Sequence, residues 1–235
     1  MSVDTDLLVA VETHSPDGIR AALAAGASPT QLIKGKTPID HLVESYLRSP
    51  RFADCLRVLI DAGAAFTDPL LELLLLDDEA GLLRLLSASP KELGRRLHVP
   101  CAFTSCEDVT TLHVCAEFGC VRCARVLLDS GADVNAAAAI DSDGFGGQTP
   151  IFHAVNSIFN YGRPMMELLL EAGADWETTI LDVTPISYTQ CGLYAQFHRR
   201  EQDVYENLAY LYQRRHGTGL RVRNVPNKYL APRVG

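Results

Sequence analysis

The sequence lacks the long apolar runs and the nucleophile motifs that mark membrane proteins and common hydrolases. Its densest apolar stretch, residues 69–76, is interrupted by Glu72 and followed by two aspartates. This is far short of the roughly 20 apolar residues that cross a bilayer, so no membrane association is predicted. The acidic start has no basic region of a secretory signal. Neither Gly-x-Ser-x-Gly nor His-Glu-x-x-His occurs, so we expect no enzymatic activity.

Basic side chains are scarce over most of the chain. Residues 1–197 contain 13 lysines and arginines against 26 acidic residues, whereas residues 198–235 contain 8 against 3. The net charge of −8 therefore combines an acidic body with a basic C-terminal end. Because an acidic body repels phosphate backbones, we expect no nucleic acid among its partners.

A complete set of disulfide bonds is also not expected. The chain has seven cysteines, an odd number, and no readable secretory signal. Reduced thiols are the rule for proteins of the cytosol, so the sequence predicts a cytoplasmic location.

What the sequence does contain is a repeating unit. Its best copy begins Thr110-Thr-Leu-His and continues through Gly119 and a leucine-rich stretch to Gly131-Ala-Asp-Val-Asn. Further copies begin with Thr-Pro-Ile at residues 37, 149 and 184, and Gly-Ala recurs at residues 26, 63 and 173. Self-similarity of this kind is typical of proteins built from stacked repeats.

Each recurring residue has a physical reason to be there. Threonine before proline suits an N-cap followed by the first helical turn, where the missing N–H of proline is not needed. The leucine run supplies the buried stripe of a second helix, and the following glycine supplies the left-handed conformation that ends it. The unit is therefore predicted to be two helices joined by a tight turn and followed by an extended loop.

This pattern resembles the ankyrin repeat, whose signature is Thr-Pro-Leu-His, then Ala-Ala, Gly, a leucine run and Gly-Ala-Asp-Val-Asn. The copy at residues 110–136 matches it closely, with Thr111 in place of proline. The resemblance implies an all-α solenoid of stacked helix-turn-helix units with finger loops between the repeats. It also implies a protein that binds other proteins rather than catalysing a reaction. Two copies contain small insertions, which we place between their helices around residues 45–54 and 157–164.

The predicted ankyrin domain covers residues 4–217 in about six repeats. We place these repeats at residues 4–30, 31–66, 67–93, 105–136, 144–177 and 179–217. The third and sixth are degenerate, and the sixth has a long polar second helix that suits a capping unit. A long loop is predicted over residues 91–109, and a basic C-terminal tail over residues 218–235.

Five cysteines between Cys101 and Cys123 form the strongest competing signal. They include a Cys-x-x-Cys, and two histidines lie nearby, which are ligands that a zinc site would use. The resemblance instead places several of these side chains in the repeat core, where cysteine behaves as a small apolar residue. It also implies that His113 bonds the backbone of the neighbouring loop. We therefore predict no metal and no cofactor, with structural zinc and a redox-sensitive thiol pair as alternatives.

The predicted function is non-enzymatic protein binding by a monomeric adaptor that presents a concave acidic surface to a partner protein. The alternative is an inhibitor or immunity-type protein that occludes a basic active site or a nucleic-acid-binding face. Candidate partner-binding residues lie before the first turn of each repeat or on the fingers, and they are Glu44, Ser45, Phe103, Glu107, Glu117, Phe118, Phe145, Gln148, Asn156 and Ser157.

Two connections are longer than ankyrin packing needs, and they flank the best-formed repeat. They cover residues 91–109 and 136–148, and long loops of this kind tend to be functional or disordered. We expect both to project on the same side and the partner to bind the middle repeat between them. Shortening both loops is expected to abolish binding and leave the fold intact, because each repeat contacts only its neighbours.

Overall fold

A computed structural model of the protein describes residues 2–45, 47–101, 106–140, 147–155, 157 and 161–175, and further on residues 206–207, 210–211, 213–214 and 217. Between residues 3 and 171 the described chain forms ten α-helices and a two-stranded sheet. The helices are α1 Val3–Glu12, α2 Pro16–Ala24, α3 Pro38–Glu44, α4 Phe52–Asp61, α5 Pro69–Leu75, α6 Glu79–Ala88, α7 Thr111–Phe118, α8 Val121–Asp129, α9 Pro150–Val155 and α10 Arg163–Glu171. The strands are β1 Arg96–Val99 and β2 Cys106–Thr110.

The ten helices pack as five consecutive pairs. Each odd-numbered helix contacts the even-numbered helix that follows it, and helix-to-helix stacking joins the first pair to the second, the third to the fourth and the fourth to the fifth. In the first layer α1 contacts α3, α5 contacts α7 and α7 contacts α9, while in the second layer α2 contacts α4, α6 contacts α8 and α8 contacts α10. The predicted repeat architecture of mostly helical units is confirmed. The core runs through all five pairs, because apolar side chains of every pair belong to one buried cluster.

The first helices of the repeats begin where the threonine signals predict. Thr37 caps α3 in a capping box, since its hydroxyl accepts from the Asp40 N–H at 3.2 Å and the Asp40 carboxylate accepts from the Thr37 N–H at 3.0 Å. Thr110 caps α7 in the same way, with His113 in place of the acid. Side chains with a similar role cap α1, α2, α5 and α6, and they are Ser2, Ser15, Asp68 and Asp78.

Left-handed glycines follow four of the second helices, as the sequence predicts. Gly26, Gly63, Gly131 and Gly173 have φ angles of 102°, 103°, 94° and 89°. At each of them the chain turns out of the helix, and the next N–H returns to the helix end. After Gly131, for example, the Ala132 N–H donates to the Leu127 carbonyl oxygen at 2.9 Å.

Replacing Gly131 by alanine should lower the free energy of unfolding by about 1 kcal/mol, which an L-residue costs in the left-handed region. A Cβ atom there would meet nothing within 4 Å, so the cost is conformational and not steric. Urea denaturation of the two proteins measures it. Gly94→Ala is the matched control, because Gly94 also has open space around it and its φ is not positive. Equal losses for the two variants would contradict the backbone explanation.

The connection at residues 91–109 contains regular structure, and this corrects the prediction of an all-α fold with a plain loop here. A short 3₁₀ turn, Pro90–Gly94, leads into β1, which pairs antiparallel with β2. Leu97, Val99, Cys106 and Val109 are buried, whereas His98, Glu107 and Asp108 are exposed. The alternation of Arg96-Leu-His-Val is the sequence signal for this strand.

The hairpin changes the expected outcome of shortening the two long connections. Its inward side chains belong to the protein core, so removing them would expose neighbouring apolar surface. The hairpin also contacts the second connection, since the Arg96 guanidinium donates to the Ala137 carbonyl oxygen at 2.9 Å. The two connections therefore lie side by side, as expected, but the first one supports the fold. We expect its removal to destabilise the protein.

The sixth predicted repeat lies largely outside the described residues, as does the tail at residues 218–235. The described residues between 206 and 214 are helical. Asn207 donates from its amide nitrogen to the Val155 carbonyl oxygen at 2.8 Å, and Leu211 is fully buried. This segment therefore packs against the end of α9. In the part of the chain that the structure describes, no helix has the length and apolar character needed to cross a membrane.

Candidate protein-binding groove

A recess of about 400 Å³ lies where the helix-connecting turns of several repeats meet, and we call it the central groove. The segment before α4 contributes Arg48, the start of α4 contributes Phe52, and the turn after α5 contributes Asp77. The end of α7 contributes Phe118, and the turn before α10 contributes Tyr161. The groove therefore crosses the second to the fifth helix pair.

Arg48 lies in the insertion of the second repeat and reaches across to the fourth. Its Nε is 3.2 Å from Glu117 Oε1, and its guanidinium carbon lies 4.3 Å from the centre of the Phe118 ring. The guanidinium also donates to the Ser45 carbonyl oxygen. Arg48 is only 6% exposed. The third repeat has a short turn between α5 and α6, which leaves room for this contact.

Glu117 continues the contact into the fifth repeat. Its Oε2 lies 3.0 Å from Nδ1 of His153, and the side chains of both residues are almost completely buried. We call Arg48, Glu117, Phe118 and His153 the Arg48 cluster. It joins three repeats beneath the central groove, so these side chains hold the groove in one shape.

His153 lies four residues after the threonine that begins its repeat, whereas His113 lies three residues after its own, and the two form different hydrogen bonds. His113 Nδ1 accepts from the Thr110 N–H at 3.2 Å, and Nε2 donates to the Gln148 carbonyl oxygen at 2.9 Å. This confirms that His113 bonds the neighbouring loop. Burial, reinforced by His153, lowers the pKa of His113 to about 3. His113 is therefore neutral at physiological pH.

Two predicted partner-binding residues, Glu117 and Phe118, are buried, and the expectation that they are exposed was wrong. Glu117 is 5% and Phe118 8% exposed. The physical reason is the insertion of the second repeat, which brings Arg48 over both side chains and places the Phe52 ring 5.0 Å from that of Phe118. They contribute to the floor of the central groove and not to an open surface.

The remaining predicted residues fall into three groups. Ser157 lines the central groove, whereas Glu44 and Ser45 line a separate recess of about 360 Å³, where Glu44 pairs with Lys36. Glu107 is exposed on the hairpin, and Gln148 is buried at 3% exposure, which corrects its expected place on a finger surface. Phe103, Phe145 and Asn156 lie outside the described residues.

The sequence did not single out Arg48 or Asp77, which organise the groove. Asp77 has a φ of 51°, and its carboxylate accepts from the Cys123 N–H at 2.8 Å. It thereby caps α8 of the next repeat and also pairs with Arg122. Arg48 is part of an insertion, so no helical spacing marks it. The only feature of the sequence that marks Asp77 is its place directly after the apolar residues of α5.

The cysteines near the groove are arranged as core residues. Burial raises the pKa of Cys115, Cys120 and Cys123, so these thiols are protonated and poor metal ligands. Across the described residues, no three histidine, cysteine or acidic side chains are grouped as a metal site would need. The absence of a resident metal remains a prediction.

The stacked helix pairs with left-handed glycines at their ends define a helical repeat protein. A family model described as ankyrin repeats matches residues 74–180 in three copies. The chain is therefore an ankyrin-repeat protein. It is 31% identical over 172 residues to the B-cell lymphoma 3 protein homolog of Mus musculus, covering 73% of this chain and 29% of that protein. It is also 31% identical over 153 residues to the B-cell lymphoma 3 protein of Homo sapiens, covering 65% and 25%.

The chain spans less than a third of the length of these curated relatives. The similarity therefore concerns only a part of those proteins. Ankyrin repeats and these relatives support a role in protein–protein interaction or regulation.

Proposed function

We propose that this protein is a non-enzymatic adaptor whose partner protein docks across the central groove. The observation that carries the proposal is the Arg48 cluster, which ties three repeats together beneath the groove. A surface fixed in advance loses little conformational entropy on binding, and this favours affinity. Aromatic and arginine side chains, which are enriched at binding hot spots, line the same recess.

The charges of the groove favour a partner surface that presents both acidic and basic groups. Its described lining contains three arginines and three acidic residues, two of which pair with each other below the surface. The acidic excess of residues 1–197 therefore belongs mainly to the surrounding body. In this proposal the acidic concave side faces the partner, and the groove supplies the specific contacts. The reduced thiols of the described cysteines are compatible with a cytoplasmic, monomeric module.

The alternative function, occlusion of a basic active site or nucleic-acid-binding face, is favoured by the same acidic excess. An inhibitor of this type would depend on long-range charge, so its association rate should fall steeply with salt. An adaptor that binds through the groove would depend less on salt. The identity of the captured partner, a basic enzyme or a scaffold protein, separates the two functions.

Removal of two groove arginines should weaken partner capture at least tenfold. Arg57 and Arg122 are exposed and line the groove, so Arg57→Ala with Arg122→Ala deletes contacts without opening the core. The control is Arg84→Ala with Arg125→Ala, which removes the same charge from exposed positions on α6 and α8 outside the groove. Tagged proteins are incubated with a native lysate, and the captured proteins are quantified by mass spectrometry.

Comparison of the two double variants distinguishes binding in the groove from a general effect of positive charge. Loss of the same protein from the groove variant alone supports docking in the groove. Equal loss from both variants would indicate that general charge governs binding. Unchanged capture by both would place the interface elsewhere and contradict the proposal.

A further inference from the structure

Two cysteines lie together at the tip of the β1–β2 hairpin. Cys101 follows β1 by two residues, and Cys106 is the first residue of β2. The strand register pairs Val99 with Cys106, so Cys101 lies diagonally across the hairpin from Cys106. Residues in such diagonal positions share one face of a sheet and come within reach of each other.

The two thiols differ in exposure and interact with each other. Cys106 is 1% exposed, whereas Cys101 is partly exposed. Interaction with Cys101 is the main cause, ahead of burial, of the raised pKa of Cys106. Nη2 of Arg48 lies 3.5 Å from Cys101 Sγ, so a cationic group adjoins the more accessible sulfur.

The other described cysteines lack this combination. Cys55, Cys115, Cys120 and Cys123 are all buried, and burial raises the pKa of each. A buried protonated thiol is a poor nucleophile towards an oxidant. Among the described cysteines, Cys101 therefore combines partial exposure, a thiol neighbour and an adjacent guanidinium.

We propose that Cys101 and Cys106 form a reversible redox site that is oxidised to an intramolecular disulfide by hydroperoxides. The Cys101 thiolate attacks one oxygen of hydrogen peroxide, which breaks the O–O bond, forms a sulfenic acid and, with one proton, releases water. The Cys106 thiol then attacks the sulfenic sulfur. An S–S bond forms, and the hydroxyl group leaves with the thiol proton as a second water. Two thiols are oxidised and one peroxide is reduced to two waters.

Oxidation of the two cysteines would change a contact of the Arg48 cluster. The disulfide turns the Cys101 sulfur towards Cys106 and so changes its contact with the Arg48 guanidinium. Arg48 also bonds Glu117 and covers Phe118 at the floor of the central groove. The site is thus placed to connect the redox state of the hairpin with the groove. Formation of the disulfide does not depend on the proposed adaptor function.

The test is to treat the reduced full-length chain with hydrogen peroxide, block remaining thiols with N-ethylmaleimide and digest with a glutamate-specific protease. Cleavage after glutamates 92 and 107 releases a peptide, residues 93–107, whose only cysteines are Cys101 and Cys106. We expect this peptide to lose two hydrogen masses and both maleimide labels, and to recover them after dithiothreitol. The peptides with Cys115, Cys120 and Cys123 should keep their labels and serve as internal controls.

Two variants test the order of the steps. Cys106→Ser should stop at a Cys101 sulfenic acid that dimedone traps, whereas Cys101→Ser should leave Cys106 labelled by maleimide after denaturation. Oxidation of Cys101 to sulfinic acid in the native chain without a disulfide would overturn the proposal. A disulfide from Cys101 to any other cysteine would also overturn it. So would a peptide 93–107 that stays reduced at a peroxide dose that oxidises free glutathione.

Discussion

Replacing Glu117 by alanine should lower the free energy of unfolding by about 3–5 kcal/mol, the loss expected when one partner of a buried ion pair is removed. The side chains of Arg48 and Glu117 are 7% and 1% exposed, so water cannot replace the lost carboxylate around the guanidinium. The same substitution removes the hydrogen-bond partner of His153 Nδ1. Guanidinium or urea denaturation followed by far-ultraviolet circular dichroism measures the loss.

The matched control for this variant is Glu107→Ala. Glu107 also faces a histidine, His98, at 3.6 Å, but both side chains are well exposed, so its loss should cost less than about 1 kcal/mol. Arg48→Met combined with Glu117→Leu should be more stable than Glu117→Ala alone, because no uncompensated charge is left buried. If Glu117→Ala is as stable as Glu107→Ala, the Arg48 cluster does not hold the repeats together.

Acidification from pH 8 to pH 5 should remove about 2 kcal/mol of stability for each of two buried histidines. The pKa of His14 is lowered to about 4 by burial and by Arg48 and Arg51, and the pKa of His113 is lowered to about 3 by burial, His153 and Arg96. Both start from 6.5 in the unfolded chain, so between these values the unfolded state binds protons that the folded state does not. Stability is therefore complete above pH 6.5 and is lost as the pH falls towards 4 and 3.

The measurement is a series of urea denaturations between pH 8 and pH 5. His14→Asn should reduce the pH dependence by about half, because asparagine does not titrate and tolerates the φ of 48° at this position. The control is His98→Asn, which makes the same replacement at a well-exposed position. A wild-type protein equally stable at pH 8 and pH 5 would contradict the assignment of neutral buried histidines.

Local features of the repeats could be read from the sequence. Thr37 and Thr110 cap helices because the groups they satisfy lie within the next turn of the chain. Gly131 is left-handed because the chain leaves the helix at this residue, and this conformation does not depend on the surrounding repeats. His113 follows from the ankyrin resemblance, since its partner is the adjacent loop of the next repeat. The strands at residues 96–99 and 106–110 were missed because each is short, although residues 96–99 alternate in polarity.

The sequence by itself determined the repeat unit, the threonine caps and the glycines that end its second helices, since these depend on contacts within one repeat or between neighbours. Only the tertiary structure decided which of the predicted binding residues are exposed and which are buried. Arg48 covers Phe118 and neutralises Glu117 because an insertion of one repeat passes over the short repeat that follows it. Contact between repeats that are not adjacent depends on how the repeats stack, so the spacing of residues along the chain does not predict it. Burial of a charged side chain there is favourable only when its partner is already in place.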